Sequence, residues 1–268
     1  MAAVQRSIFP HGIDGFSTGP LTGGRLRKPF SPHIMAKTRY RTVFLDAGGV
    51  MITPNFPRLA EALARRGIDI SPAALAAAEP HVKQELDHAP TIQATDDTRR
   101  GYVYFDRILE LTGIPPTEAT AAAIEELVSF RDREGAWDVV APGSTEALRT
   151  LRSASLGLVV VSNSNGRVRR ILRRTGIEPY VDLVLDSHEE GVEKPDPRIF
   201  EIALERSQAD RRTTIHCGDI YHIDVAGARA AGLPAVLLDS AGLYGDADCP
   251  RVESLPEFAD RLLAGAFD

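Results

Sequence analysis

Five short apolar runs separated by helix-like segments constrain this chain more than any other feature. They are Thr42–Asp46, Leu156–Ser162, Leu183–Asp186, Thr214–Gly218 and Ala235–Asp239, each rich in β-branched residues and bounded by turn residues. Runs this short and this continuously apolar read as strands buried on both faces. The segments between the last four are helical: "GRVRRILRRTGI" sets Val168, Ile171 and Leu172 on one face with arginines opposite, and "PRIFEIALERS" repeats Ile199, Ile202 and Ala203 at helical spacing. Strand and helix in alternation predict an α/β fold with a doubly wound, Rossmann-like parallel sheet.

One interval departs from the alternation. Between the first and second runs lie about ninety residues without a strand signal, too many for a single crossover. Helical patterns near Pro57–Arg66, Pro72–His88, Arg99–Leu111 and Thr117–Arg131 fill it. This predicts an inserted helical domain over residues 54–138, set in a core built from 41–53 and 139–268, with Pro142-Gly143 marking the return. Residues 1–40 differ again, carrying glycines, prolines and six basic residues against the single acid Asp14. They predict a flexible tail. Without a convincing amphipathic helix, that tail reads as plain disorder or as a start-site artefact with Met35 the working initiator, rather than as a transit peptide.

Charge narrows the partners. A net charge of -6 and a pI near 5.7 supply no basic field for a nucleic-acid backbone. No stretch reaches the roughly 18 to 20 consecutive apolar residues of a membrane span. The only two cysteines, Cys217 and Cys249, form no CxxC or Cys/His spacing and follow no secretory segment, so they read as packing residues of a cytoplasmic protein. Small molecules are therefore the expected partners.

In an open α/β sheet, ligands sit beyond the carboxyl ends of the strands. The first run ends in "LDAGG", with Asp46; the second in "SNSNG", with Ser162 and Asn163. The loop after the third carries "VEKPDP", with Lys194, and the fourth runs into "GDIYHID", with Asp219 and Asp224. Each has an ordinary reading as a cap, turn or solvated residue. Delivered together to one edge, they meet a single need, phosphoryl transfer through a carboxyl intermediate. Asp46 attacks phosphorus, splitting one displacement into two. The repulsion between an anionic nucleophile and a phosphate dianion then has to be offset. Mg²⁺ on Asp46, Asp219 and Asp224 offsets part of it, the Lys194 ammonium another part, and Ser162 with the amides near Asn163 and Ala47 supplies donors.

"FLDAGGVM", "VVVSNSNG", "EKPDPRIF" and "GDIYHIDVAGARAAG" resemble the four ordered motifs of the haloacid dehalogenase-like hydrolase superfamily, from about Thr42 to the C-terminus. The resemblance implies Asp46 as nucleophile, Gly48 as the residue whose carbonyl binds Mg²⁺, Ser162 as phosphate donor, Lys194 as stabilising cation, and Asp219 and Asp224 as metal residues. It also implies that the helical insertion is a substrate-selecting cap. One departure stands out: phosphatases of the superfamily carry D-x-D, whose second Asp is the general acid and base, and here that position is Gly48. Such a loss typically costs ~10²–10⁴-fold in rate. An anomeric 1-phosphate, with its easier leaving group, suits the gap, so a sugar phosphate is the favoured substrate of a Mg²⁺-dependent phosphatase.

Three other readings stay open: a 2-haloacid dehalogenase, a low-activity binding protein, and a phosphonate hydrolase. The last needs a cap lysine for a Schiff base, and the sequence shows no desolvating context for Lys83, the only candidate. Substitute acids are His222, Asp87 and His88, each expected to be solvated. Tyr102, Tyr104 and Phe105 line either the pocket or the insertion's core.

Overall fold

The computed structural model describes residues 36–88, 97–128 and 136–268. Its main sheet has six parallel strands in the order β5-β4-β1-β6-β7-β8, namely Leu183–Asp186, Gly157–Ser162, Thr42–Leu45, Thr214–Gly218, Ala235–Leu238 and Arg251–Val252. The five expected runs are thus its four inner strands and the edge strand β5, in the doubly wound α/β arrangement.

Alternation of side chains across the pleat explains the layers. From β1, Val43 and Leu45 enter one apolar cluster and Phe44 the other; from β4, Leu158 and Val160 join the first, Val159 and Val161 the second. Helices Ser144–Ser153, Val168–Arg174 and Leu255–Leu263 cover the first face with Leu148, Leu172 and Phe258, and Pro197–Ser207 covers the second with Ile199, Phe200 and Ala203. Every residue of β6 and β7 is buried, as expected of a parallel sheet covered on both sides.

Among the described residues, four helices lie between the first and last parts of the core: α1 (Phe56–Ala64), α2 (Pro72–Leu86), α3 (Asp97–Leu111) and α4 (Glu118–Val128). They close on their own cluster, centred on Leu59, Leu63, Phe105, Ile108 and Ile124. Two N-caps fix their starts, with the Asn55 and Ser71 side chains accepting from the amides of Arg58 and Ala74.

Three features differ from the expectation. First, the interval does hold strands: β2 (Ile52–Pro54) pairs antiparallel with β3 (Trp137–Val140), forming a two-stranded ribbon through which the chain leaves and re-enters the core. Segments this short carry no readable period, and their pairing joins residues far apart in sequence. Second, the edge strand β8 is only two residues long and has no pattern to read. Third, part of the expected tail is anchored: Tyr40 is buried and its hydroxyl donates to Phe267 O at 2.9 Å, while Thr38 Oγ1 donates to Asp268 at 2.8 Å. Residues 1–35, Met35 included, lie outside the described residues. No helix among the described residues is long and apolar enough to cross a membrane.

Candidate active site

The carboxyl edge of the sheet collects the expected residues. Asp46 follows β1 directly, and its amide donates to Cys217 O at 3.0 Å, carrying the β1–β6 ladder one residue past the strand. The chain then folds back sharply, the amides of Met51 and Ile52 both donating to Ala47 O at 3.0 Å. Gly49 makes this fold possible. It has φ +70°, and a Cβ there would lie 1.8 Å from Asp219 Oδ2, so only glycine lets the turn press against that carboxylate.

Lys194 is the hub. It is buried to 1% exposure, with Nζ 2.9 Å from Asp46 Oδ1 and 2.7 Å from Asp224 Oδ1. Asn163 holds the loop that delivers it: the Asn163 side chain donates to Lys194 O at 2.9 Å and accepts from Lys194 N at 2.8 Å. That side chain is thereby committed to the scaffold, leaving only the Asn163 main chain for a ligand. Ser162, at the end of β4, is buried beside it, with Oγ donating to Asn163 O at 3.3 Å.

Asp224 is held by several partners at once. Besides Lys194, it accepts from the amides of Asp219 and Ile220 at 3.2 and 3.1 Å, and His216 Nε2 lies 3.1 Å away. Burial pushes its carboxyl up, but the Lys194 ammonium and the His216 hydrogen bond outweigh it and hold the group below the usual carboxylate range. His216 stays neutral, since burial lowers its pKa. This histidine, packed edge-on against Phe200 in the middle of β6, has no sequence signal beyond one polar residue in an apolar strand.

Oxygens of Asp46, Asp219 and Asp224 all lie within 4.8 Å of one another. Burial pushes Asp46 up to about 8 against the pull of Lys194, with Asp224 and Asp219 adding repulsion, and pushes Asp219 up to about 6 against Lys83. Three crowded carboxylates, two of them pushed up for want of positive charge, are a hard-oxygen donor set suited to a divalent cation.

The insertion contributes chiefly through α2 and its C-cap residue Asp87. Glu79, Lys83 and Asp87, four residues apart, face the core. Lys83 Nζ lies 3.0 Å from Asp219 Oδ2 and 3.2 Å from Glu79 Oε1, and the Tyr104 hydroxyl donates to Glu79 at 2.8 Å. Lys83 is therefore desolvated, contrary to the sequence-based expectation. The reason it is no Schiff-base lysine is different: burial lowers its pKa, but Asp219 and Glu79 outweigh this and raise it, so the amine stays protonated. Asp87 and His222 are likewise not solvated apart. Asp87 is buried, accepts from the amides of Tyr221 and His222 at 2.7 and 2.9 Å, and sits 2.9 Å from His222 Nδ1. It caps the start of the turn that carries Asp224. Gln84 adds a bond to Leu243 O at 2.6 Å. His88 is exposed and joins none of this. Of the aromatic residues, Tyr104 lines the cleft, Phe105 fills the insertion's core, and Tyr102 turns aside to Glu125 at 2.7 Å. Cys217 and Cys249 are buried free thiols, as packing residues should be.

The cleft, about 220 Å³, is bounded by Asp46, Gly48, Lys83, Tyr104, Trp137 and Asp219. Trp137 is the resident with no sequence forewarning. A Cβ on Gly48 would lie 3.5 Å from Trp137 Cδ1, so the indole stands over the position of the missing acid.

This constellation on this fold agrees with a direct comparison. The haloacid dehalogenase-like hydrolase family model matches residues 40–232. The chain belongs to that family. Human haloacid dehalogenase-like hydrolase domain-containing protein 3 is 30% identical over 176 residues, 64% of this chain and 70% of that one. Its Bos taurus counterpart is 37% identical over 126 residues, 47% and 50% of the two chains. The ribulose-1,5-bisphosphate 5-phosphatase of Halopiger xanaduensis is 34% identical over 141 residues, covering 52% and 57%. This chain thus spans between half and 70% of the length of these relatives. Among solved structures, the HAD-hydrolase YfnB from Bacillus subtilis aligns with a TM-score of 0.59 at 20% identity, over 84% of this chain and 99% of that one, a likeness of fold.

Proposed function

We propose that this hydrolase is a Mg²⁺-dependent phosphatase for a small phosphorylated metabolite, a sugar phosphate favoured, working through an aspartyl phosphate on Asp46. The observation that carries the reading is charge. With all groups ionised, the carboxylates of Asp46, Asp219, Asp224 and Glu79 face the ammonium groups of Lys83 and Lys194, four charges against two, and the remaining two match one divalent cation. Attack on carbon by a dehalogenase needs no such surplus, which favours phosphoryl transfer over that alternative. Relatives named as phosphatases support it too, for glyceraldehyde 3-phosphate in Methanothermobacter thermautotrophicus and for ribulose-1,5-bisphosphate in Halopiger xanaduensis. The Bacillus subtilis neighbour is described as bound to magnesium.

Asp46, Asp219 and the Gly48 carbonyl would hold Mg²⁺, with Asp224 behind them; when bound, the ion lowers the carboxyl pKa values and stabilises charge on the phosphate oxygens. Lys194 orients the Asp46 carboxylate for in-line attack and neutralises its charge. Asp224, held by His216 and two amides, keeps Lys194 in place. Ser162 and the main chain of Asn163 donate to the phosphate oxygens. The helices of residues 54–138 act as the cap, Glu79, Lys83 and Tyr104 closing the cleft against bulk water.

The test is phosphate release from a panel of sugar phosphates, nucleotides and p-nitrophenyl phosphate, with Mg²⁺ or EDTA. Turnover that requires both Mg²⁺ and Asp46 is expected. Undiminished turnover in Asp46→Asn, or in EDTA, would sink the reading.

A further inference from the structure

We infer that Trp137 is the residue that meets the leaving group, donating a hydrogen bond from its indole N–H to the oxygen that departs from phosphorus. The inference rests on the phosphatase reading of Asp46 and goes beyond it by assigning the other end of the reaction.

Position 48 is where a D-x-D sequence would present its acid. Trp137 borders that position: Cδ1 lies 3.5 Å and Nε1 3.8 Å from where the Cβ of residue 48 would be, in van der Waals contact with it. The ring is held there rather than placed by accident. Trp137 opens β3 and pairs with Pro54 across the ribbon, and its ring packs against Tyr104 and Phe105 at centroid separations of 5.4 and 5.2 Å. Nε1 is an open donor. It has no hydrogen-bond partner among the described residues and is not among the buried atoms left without one; it lies 3.8 Å from the Cβ position of residue 48, and Trp137 lines the cleft that Asp46 and Gly48 also line.

An indole N–H donates but does not surrender its proton at neutral pH. In the first step the Asp46–phosphorus bond forms and the phosphorus–oxygen ester bond breaks, its electron pair remaining on the leaving oxygen. Trp137 stabilises that developing charge by hydrogen bonding, and solvent water protonates the departed oxygen. No proton comes from position 48. Such a site favours a leaving oxygen of low basicity, as at the anomeric carbon of an aldose 1-phosphate, whose ring can also lie against the indole face.

The decisive experiment is a leaving-group series. Aryl phosphates of graded phenol acidity, α-D-glucose 1-phosphate and glycerol 3-phosphate are compared in wild type and Trp137→Phe, which keeps a packed ring and loses the N–H. The ratio of wild-type to variant kcat/KM should rise to about 10²-fold for the most basic leaving groups and shrink towards one for p-nitrophenyl phosphate, the scale of one donor to a developing anion. A ratio constant across the series, or equal to one throughout, overturns the inference. A second measurement does not depend on turnover, because Trp137 is the only tryptophan in the chain. In Asp46→Asn protein with Mg²⁺, α-D-glucose 1-phosphate should shift the tryptophan emission and inorganic phosphate should not. Equal responses to both, or none to either, overturn the assignment even if the enzyme proves to be a phosphatase.

Discussion

Replacing Lys83 with methionine should make the protein bind Mg²⁺ more tightly. The Lys83 ammonium sits 3.0 Å from Asp219 Oδ2 and has Glu79 as a second partner at 3.2 Å. At 3.0 Å and an effective dielectric constant of about 20, the gross attraction to Asp219 is about 5.5 kcal/mol. Most of this is offset by desolvation, and a hydrogen bond to a charged group nets about 1.5–3 kcal/mol. A cation entering between Asp46, Asp219 and Asp224 must break that contact, while Glu79 still holds the displaced ammonium. Removing the ammonium should therefore strengthen Mg²⁺ binding by about 1.5–3 kcal/mol, roughly 10- to 150-fold. The same change leaves Glu79 and Asp219 without their cation in the metal-free protein. That should destabilise it by up to about 3–5 kcal/mol, much of which Mg²⁺ restores. Isothermal titration of wild type and Lys83→Met, with melting in EDTA and in Mg²⁺, reads both effects. Equal or weaker Mg²⁺ affinity in the variant would refute the competition between Lys83 and the metal.

Three further predictions use other parts of the site. Gly49→Ala should lose Mg²⁺ binding and cost more than about 2 kcal/mol in urea unfolding, since a Cβ at φ +70° would collide with Asp219; wild-type affinity in this variant would mean that the turn can move aside. Because burial raises the Asp46 pKa from 3.8 to about 8, the folded metal-free protein holds a proton that the unfolded chain releases. Its contribution to stability is therefore present at low pH and lost as pH rises from about 4 to about 8, while Mg²⁺ affinity climbs over the upper part of that window with proton release; a Mg²⁺ affinity that is flat from about pH 6 to 8 contradicts this. Asp87→Asn should cost about 1–3 kcal/mol and raise hydrogen exchange at Tyr221 and His222, whose amides it accepts; unchanged exchange there would show that α2 is held by other contacts.

The core was legible from local pattern because the strands of a parallel sheet carry their own signal. Runs such as "LVVVS" are apolar on both faces, and the residue that follows each must emerge at the carboxyl edge. Asp46, Ser162, Lys194, Asp219 and Asp224 could be collected into one site on that rule, and they do lie around one cleft. The ribbon of β2 and β3 was not legible, because three or four residues that include a proline give no period. The inward placement of Glu79, Lys83 and Asp87 was not legible either, because charged residues at helical spacing usually face water and nothing near them in sequence indicates otherwise.

Local pattern was thus enough for five of the six strands of the main sheet, for the chain order of their carboxyl ends and for the chemical character of the edge they share. Which side chains complete that edge depends on contacts between distant segments. Lys83 meets Asp219 across 136 residues, Asp87 meets the amide of His222 across 135, and Trp137 stands over Gly48 from the far side of the insertion. A strand end is placed by its immediate neighbours through backbone ladders. A contact between separate elements is placed by the packing of every layer between them, and local periodicity holds no record of that packing.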